Sequence, residues 1–165
     1  MKSYNISQTN CSVDLLTKIL IDYVVINKIV LDVNNERINF VFLKQGDITQ
    51  EKWQEKKELI YKKYRIFNKL EGYSKTDLIF TKKSHDQLTT IKVSNKLISI
   101  KEAQINFIVA IIENIFANEL IEEKININKY NHHSIPELLT QIKNKRESSY
   151  LAYKEENKIF VFNLR

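Results

Sequence analysis

Three histidines are the side chains best able to bind a metal or transfer protons in this sequence, and they lie in two places. His132 and His133 are adjacent, and His85 is followed by Asp86. A zinc site requires further ligands, but the histidine pair has no cysteine pair nearby and His85 is far away in sequence. His85-Asp86 has the composition of an acid–base pair, yet it equally suits the tip of a hairpin turn. We therefore interpret all three histidines as solvated loop residues.

Nothing else in the sequence forms a known catalytic or cofactor motif. The two glycines, Gly46 and Gly72, are isolated, so neither a phosphate-binding loop nor a nucleophile elbow is present. Cys11 is the single cysteine, and no cationic residue adjoins it to favour the thiolate. Glu122 and Glu123 lie at a predicted helix end as solvated charges. We predict no catalytic residue, cofactor or metal, and leave open an enzyme site assembled from distant parts of the chain.

The basic charge suggests nucleic-acid binding as an alternative function. Lysine and arginine total 26 against 20 acidic residues, but only four of the 26 are arginine, the side chain that binds phosphates bidentately. An excess of lysine, isoleucine and asparagine therefore fits a coding bias towards AT-rich codons better than it fits a selected nucleic-acid surface. The strongest nucleic-acid case is a predicted amphipathic helix over residues 50–71, where aromatic residues alternate with basic ones. Trp53 shares its apolar face, so we expect Trp53 to be buried against the sheet. The basic residues of this alternative site are Lys52, Lys56, Lys62, Lys63, Arg65 and Lys69.

The most apolar part of the chain predicts a buried central helix. Residues 98–124 contain no glycine or proline, and their isoleucines fall on one broad arc at helical spacing, so a helix of about six turns is expected to end near Ile121. Ser99 and Glu102 have the spacing of a capping box, and Ser134 and Glu137 repeat it before a shorter helix. We predict that both serines are N-caps and that the sheet wraps around the central helix.

Hydrophobic periodicity divides the remaining chain into helices and hairpins. A first helix is predicted over residues 12–23 with Ser12 as its cap, Asp47 or Thr49 is expected to cap the helix over residues 50–71, and the C-terminal helix is expected to run to about Arg146. Runs rich in β-branched and aromatic residues predict the strands. These strands cover residues 24–33, 37–44, 77–82, 87–93, 97–99, 149–154 and 158–164.

Together these elements predict an α+β fold in a single domain spanning residues 1–165. Its sheet is antiparallel and contains a hairpin, a three-strand meander and a C-terminal hairpin. The order is α-ββ-α-βββ-α over residues 12–122, followed by a helix and a hairpin over residues 134–165. In element order the chain resembles roadblock-type domains over residues 12–122, and from Val24 onward it resembles longin and profilin-like folds. This resemblance, which includes no residue motif, implies a small regulatory or scaffolding module that is often dimeric.

A ridge of small residues on the central helix predicts an interaction surface. Ala103, Ala110 and Ala117 recur every seven residues and form an almost straight line, flanked by Phe107 and Ile111. Another helix is expected to cover this ridge, either the first or last helix of the chain or the same helix of a second subunit about a two-fold axis, which we favour. We therefore predict a non-enzymatic protein-interaction or regulatory module, a homodimer or the binder of a protein partner.

The sequence also predicts a soluble cytoplasmic protein. The longest uncharged run of the central helix, residues 103–112, is half the length that a membrane span requires. The first ten residues lack the apolar core of a signal peptide, and a single cysteine fits a reducing compartment.

Overall fold

One antiparallel sheet with helices on one of its faces is the architecture of the computed structural model, which describes residues 10–73, 77–126, 133–144 and 148–164. The helices are α1 (Cys11–Asp22), α2 (Gln50–Leu70), α3 (Glu102–Phe116) and α4 (Ile135–Asn144). The strands are β1 (Lys28–Asp32), β2 (Arg37–Gln45), β3 (Ile79–His85), β4 (Leu88–Lys96), β5 (Ser149–Glu155) and β6 (Lys158–Leu164). Across the sheet they lie in the order β3-β4-β2-β1-β5-β6, with every neighbouring pair antiparallel. The predicted α+β class with an antiparallel sheet is confirmed.

Alternation along the strands directs one face of the sheet into the core. Because successive strand residues point to opposite faces, every second side chain is buried beneath the helices. These buried strand residues are Ile29, Leu31, Ile38, Phe40, Phe42, Phe80, Ile91, Val93 and Ala152. The intervening side chains form the opposite face, which we call the open face and which carries exposed apolar residues at both edges of the sheet. The chain therefore forms two layers, and the sheet does not wrap around a helix.

The central helix α3 buries the predicted arc of isoleucines, but it begins and ends at other residues than predicted. Its first residue is Glu102, and the side-chain oxygen of Gln104 accepts the backbone N–H of Lys101 at 2.9 Å. Ser99 lies in a turn before the helix, so the prediction that Ser99 is the N-cap is wrong. The helix ends at Phe116 because the next residue, Ala117, has φ of 41°, which no α-helix accommodates.

The predicted strand over residues 97–99 is also wrong. β4 continues to Lys96, and Leu97 to Ser99 form a turn that leads directly towards α3. Leu97 and Ile100 are buried in this turn, so their apolar character reflects packing and not strand pairing. The order over residues 12–122 is therefore α-ββ-α-ββ-α, one strand fewer than the roadblock-type order. The C-terminal hairpin adds the remaining two strands to the same sheet beside β1.

Most other elements form where they were predicted. α1 begins after Asn10, whose side chain accepts the N–H of Ser12 at 2.9 Å, so Asn10 and not Ser12 is its cap. Thr49 caps α2 as predicted, through Lys52 N–H at 3.3 Å. The expected burial of Trp53 is confirmed, with its ring stacked 4.6 Å from that of Phe80. The predicted end of α4 at Arg146 lies outside the described residues.

Ser134 is the N-cap of α4, as predicted, because its hydroxyl accepts the N–H of Glu137 at 3.3 Å. We expect Ser134→Ala to lower the free energy of unfolding by about 0.5–2 kcal/mol, the usual cost of losing a capping side chain. The matched control is Ser99→Ala, which removes a serine from the other S-x-x-E motif but no cap, and should change it by less than about 0.5 kcal/mol. Denaturant unfolding of both variants checks this, and equal losses would contradict it.

Candidate functional site

The alanine ridge of α3 is not a single covered surface within the chain. Ile111 is buried, and Phe107 is half-buried with its ring stacked 4.1 Å from that of Phe67 on α2. Ala103 is half-buried, whereas Ala110 is exposed, as is Ala117, which lies beyond the end of the helix. The only strong helix–helix packing of α3 among the described residues is with α2, so neither α1 nor α4 covers the ridge. Its role as a contact between subunits stays a prediction.

The lysine-rich helix α2 separates its basic and aromatic side chains. Five of the six predicted basic residues are exposed, but the sixth, Lys56, donates to the carbonyl of Ile115 at 3.1 Å. The aromatic residues face inwards: Tyr64 is buried, and the hydroxyl of Tyr61 accepts the N–H of Phe80 at 3.0 Å. A single-strand binding surface requires exposed rings among the charges. α2 therefore offers a nucleic acid only nonspecific charge.

The candidate chemical groups are dispersed over the surface. His85 and Asp86 form a pair at 3.0 Å, but both side chains are more than 85% exposed at the tip of the β3–β4 hairpin. His133 contacts Glu137 at 3.3 Å, and His132 lies outside the described residues. The thiol of Cys11 is 2.8 Å from the side-chain oxygen of Gln141. No three histidine, cysteine, aspartate or glutamate side chains in the described ranges are grouped as metal ligands would be.

An aromatic ladder lies on the open face at the β5–β6 edge of the sheet. The ring of Tyr153 on β5 stacks on Phe160 at 5.3 Å and on Phe162 at 5.9 Å. Phe160, Phe162 and Leu164 on β6 are 36–49% exposed. Towards the centre of the sheet, Leu151 continues this apolar surface. We call these five residues the aromatic ladder: Leu151, Tyr153, Phe160, Phe162 and Leu164. Exposed apolar residues grouped in this way mark interaction sites more often than scattered ones do.

The two edges of the sheet differ in their protection against pairing with another chain. Edge strand β3 carries Lys82, Lys83 and His85, and charged side chains on an edge strand discourage pairing. Edge strand β6 contains no charge after Lys158, and its remaining residues are apolar except Asn163. An uncharged, unpaired edge strand of this length can accept a further strand. β6 is therefore the edge strand that lacks charged side chains to prevent pairing with another strand.

The hairpin geometry assigns the free backbone groups of β6. Glu156 and Asn157 form a two-residue turn with φ of 48° and 61°, so Lys158 is in the first hydrogen-bonded pair with β5. Hydrogen-bonded and non-hydrogen-bonded pairs then alternate along the hairpin. The N–H and C=O groups of Ile159, Val161 and Asn163 consequently point away from β5. No described residue pairs with these six groups, which form the outer hydrogen-bonding edge of the sheet.

Lys154 is the residue whose environment the sequence analysis missed. It is only 6% exposed, and its ammonium lies within 3.2 Å of four backbone carbonyl oxygens. These acceptors belong to Leu20, Tyr23, Val24 and Glu123. Burial lowers the pKa of Lys154 to about 8, while the Glu123 carboxylate acts in the opposite direction. All its donors are occupied by carbonyls that join the end of α1 to residues 120–126, so Lys154 is a structural crosslink.

No helix among the described residues is both long and apolar enough to cross a bilayer. The chain matches no protein-family model, no curated protein and no solved structure.

Proposed function

We propose that this chain is a non-enzymatic, cytoplasmic protein-interaction module that self-associates by pairing strand β6 of two copies. The observation that carries the proposal is the uncharged free edge of β6 beside the aromatic ladder. Pairing would satisfy the free backbone groups and cover exposed aromatic rings in one contact, which provides both the directional and the apolar part of an interface.

A second copy suits this edge because β6 is complementary to itself. In an antiparallel pair related by a two-fold axis, the longest overlap places Val161 opposite Val161 of the other copy. Ile159 of one copy then faces Asn163 of the other, so the backbone groups that point away from β5 in one copy pair with the same kind of groups in the other. In the same register Phe160 faces Phe162 across the junction, so the two aromatic ladders become one continuous surface. Cross-strand aromatic pairs of this kind stabilise antiparallel sheets.

The ladder suits a strand partner better than it suits nucleic acid. Base stacking requires a free ring face, but Tyr153 already stacks with both Phe160 and Phe162, at interplanar angles of 21° and 10°. Two lysines border the ladder on the open face, Lys28 opposite Tyr153 in the sheet register and Lys158 two residues before Phe160. Two separate lysines do not form the continuous basic groove that follows a phosphate backbone.

Phe162→Glu should shift the protein from dimer to monomer, because it places a charge at the centre of the apolar contact. A matched control is Ile79→Glu, which introduces the same charge at a similarly exposed position of the open face on the opposite edge strand. Sedimentation velocity over a concentration series measures the association of each variant. We expect roughly a tenfold or greater weakening for Phe162→Glu, equivalent to about 1.4 kcal/mol, and no change for Ile79→Glu.

Other outcomes assign the surface differently. A wild-type protein that stays monomeric at every concentration would overturn self-association. Ala110→Leu that weakens association while Phe162→Glu does not would place the contact on the α3 ridge. Retention of a single-stranded oligonucleotide with a steep salt dependence, lost in Phe162→Glu, would favour the nucleic-acid alternative instead.

A further inference from the structure

A cavity of about 380 Å³ lies at the end of the helix layer farthest from β6 along the order of the sheet. It is bounded by the C-terminal part of α2, the turn before α3, the start of α3 and the end of β4. Its volume is within the range of small-molecule sites in proteins. The lining residues are Tyr64, Gly72, Tyr73, Asp77, Asn95, Lys96, Ser99, Ile100, Lys101 and Gln104.

One buried polar residue in the lining of this cavity, Asn95, has a donor without an acceptor. Asn95 is only 4% exposed, and its side-chain oxygen accepts the hydroxyl of Tyr64 at 3.2 Å. Its amide nitrogen, which is fully buried, has no hydrogen-bond partner in the described part of the chain. A buried donor of this kind costs about 1–3 kcal/mol unless water or a ligand accepts its hydrogen bond. Asn95 lines the cavity, but this nitrogen lies behind its surface, so its resonance reports on the cavity wall.

The other polar lining residues are fixed in position. Gln104 donates to the side-chain oxygen of Asn68 at 2.9 Å and accepts the backbone N–H of Lys101, also at 2.9 Å. The pKa of Tyr64 is raised to about 12, chiefly by burial, so its hydroxyl keeps its proton at neutral pH. A wall held by such a network is preorganised, which lowers the entropy that a ligand loses on binding.

The charges around the cavity favour a ligand with an anionic group. Asp77 is neutralised by Arg37, whose Nη1 donates to its carboxylate at 2.8 Å and holds the pKa of that carboxyl below its usual range. Lys96 is 3.7 Å from the same carboxylate, and the ammonium of Lys101 lies 5.9 Å from the ring of Tyr73. The hydroxyl of Ser99 is a further donor. Two lysines against one paired carboxylate leave the cavity positively charged.

We propose that this cavity binds a small organic anion, with its carboxylate or phosphate group near Lys101 and Ser99. Tyr73 would contact the apolar body of the ligand. The site does not depend on self-association, because its residues lie on other elements than β5 and β6. It gives the module a second binding function, the recognition of a metabolite by a chain that has no catalytic group in contact with it.

The test is an NMR titration of the ¹⁵N-labelled full-length protein, observing the side-chain amide of Asn95. Benzoate provides a carboxylate, phenyl phosphate provides a phosphate and benzyl alcohol is the neutral analogue, each at constant ionic strength set with sodium chloride. We expect a saturable shift of the Asn95 amide with at least one anion, at millimolar or lower Kd. Which of the two anions binds more tightly identifies the anionic group.

Two alanine variants distinguish a site from diffuse charge. Lys101→Ala should weaken binding roughly fivefold, because it removes one of the two cavity ammonium groups. Lys92→Ala, which removes an exposed lysine of β4 outside the cavity, should have less than about a twofold effect. An unmoved Asn95 resonance, equal binding of benzyl alcohol, or equal effects of the two variants would each overturn the proposal. None of these outcomes depends on the oligomeric state.

Discussion

Lys154→Met is expected to lower the free energy of unfolding by about 3 kcal/mol at neutral pH. Methionine is similar in length but donates no hydrogen bond, so it leaves the carbonyls around Lys154 without their ammonium partner. Tyr23 and Val24 retain one backbone partner each, from Ile26 and Glu123. The carbonyls of Leu20 and Glu123 lose the contact that Lys154 provides at 3.1 Å and 2.9 Å. Each buried carbonyl without a partner costs about 1–3 kcal/mol, which gives the expected loss.

The control for this variant is Lys158→Met, the same substitution four residues later at an exposed position of the C-terminal hairpin. It should change the free energy of unfolding by less than about 0.5 kcal/mol, as exposed substitutions usually do. Denaturant unfolding of the two variants and the wild type measures both values. Equal stability of the two variants would show that the carbonyl cage around Lys154 contributes nothing measurable.

The pH dependence of unfolding provides a second measurement on the same variant. The pKa of Lys154 is lowered from its ordinary value of 10.5 to about 8 by burial, so between these values the unfolded chain binds more protons than the folded one. The free energy of unfolding contributed by this group therefore rises with pH above about 8, by at most about 1.4 kcal/mol per pH unit.

In Lys154→Met this rise is absent, so the stability difference from the wild type should increase between pH 7.5 and 9.5. Lys143, whose pKa is also lowered by burial, contributes equally to both proteins and cancels. The raised pKa values of Tyr23 and Tyr64, both about 12, also contribute equally to both proteins and cancel. A pH-independent difference would contradict the lowered pKa.

The environment of Lys154 could not be predicted from the sequence. In a strand with an alternating pattern, a lysine near a turn is normally solvated. Here the position points to the core side of the sheet, and the carbonyls that it binds come from segments about 130 and 31 residues away. Only the tertiary fold brings them together. The same applies to Asn95, whose role depends on a cavity formed by four separate segments.

More of the fold could be predicted from the sequence, because hydrophobic periodicity follows directly from which side chains are buried. The isoleucine spacing located α3, and the alternation in β2 located that strand. Runs of β-branched and aromatic residues on either side of a turn located β5 and β6. The errors arose where a residue is buried without belonging to a helix or strand. Leu97 is apolar because it packs beneath a turn, and Ser99 has the spacing of a cap but precedes the helix by too many residues.

The order of strands in the sheet decides which surface is free, and no local pattern encodes it. β6 has the nearly continuous apolar run expected of a strand covered on both sides, and β3 has the charges expected of an edge. Both strands are nevertheless edges. Sequence analysis therefore placed the interaction surface on α3, where the small residues were conspicuous. The exposed aromatic residues of β6 could be recognised as a surface only after the sheet order was known.

Asn163→Pro should weaken self-association roughly tenfold or more while leaving the fold of the monomer intact. Proline has no N–H, and the N–H of Asn163 points away from β5, so the β5–β6 hydrogen bonds are preserved. In the two-fold pairing proposed above, this N–H donates to Ile159 of the second copy, and the symmetry removes two hydrogen bonds per dimer. Two such bonds contribute about 1–3 kcal/mol, and the proline ring adds a steric obstacle to the approaching strand.

Asn163→Ala is the matched control because it removes the same side chain but keeps the backbone N–H. Sedimentation velocity should show unchanged association for the alanine variant and a shift to monomer for the proline variant, with circular dichroism confirming that both are folded. If both associate like the wild type while Phe162→Glu does not, two copies pack through their open faces and not through paired strands. If both variants are weakened equally, the Asn163 side chain and not the backbone edge makes the contact, and strand pairing through β6 is excluded.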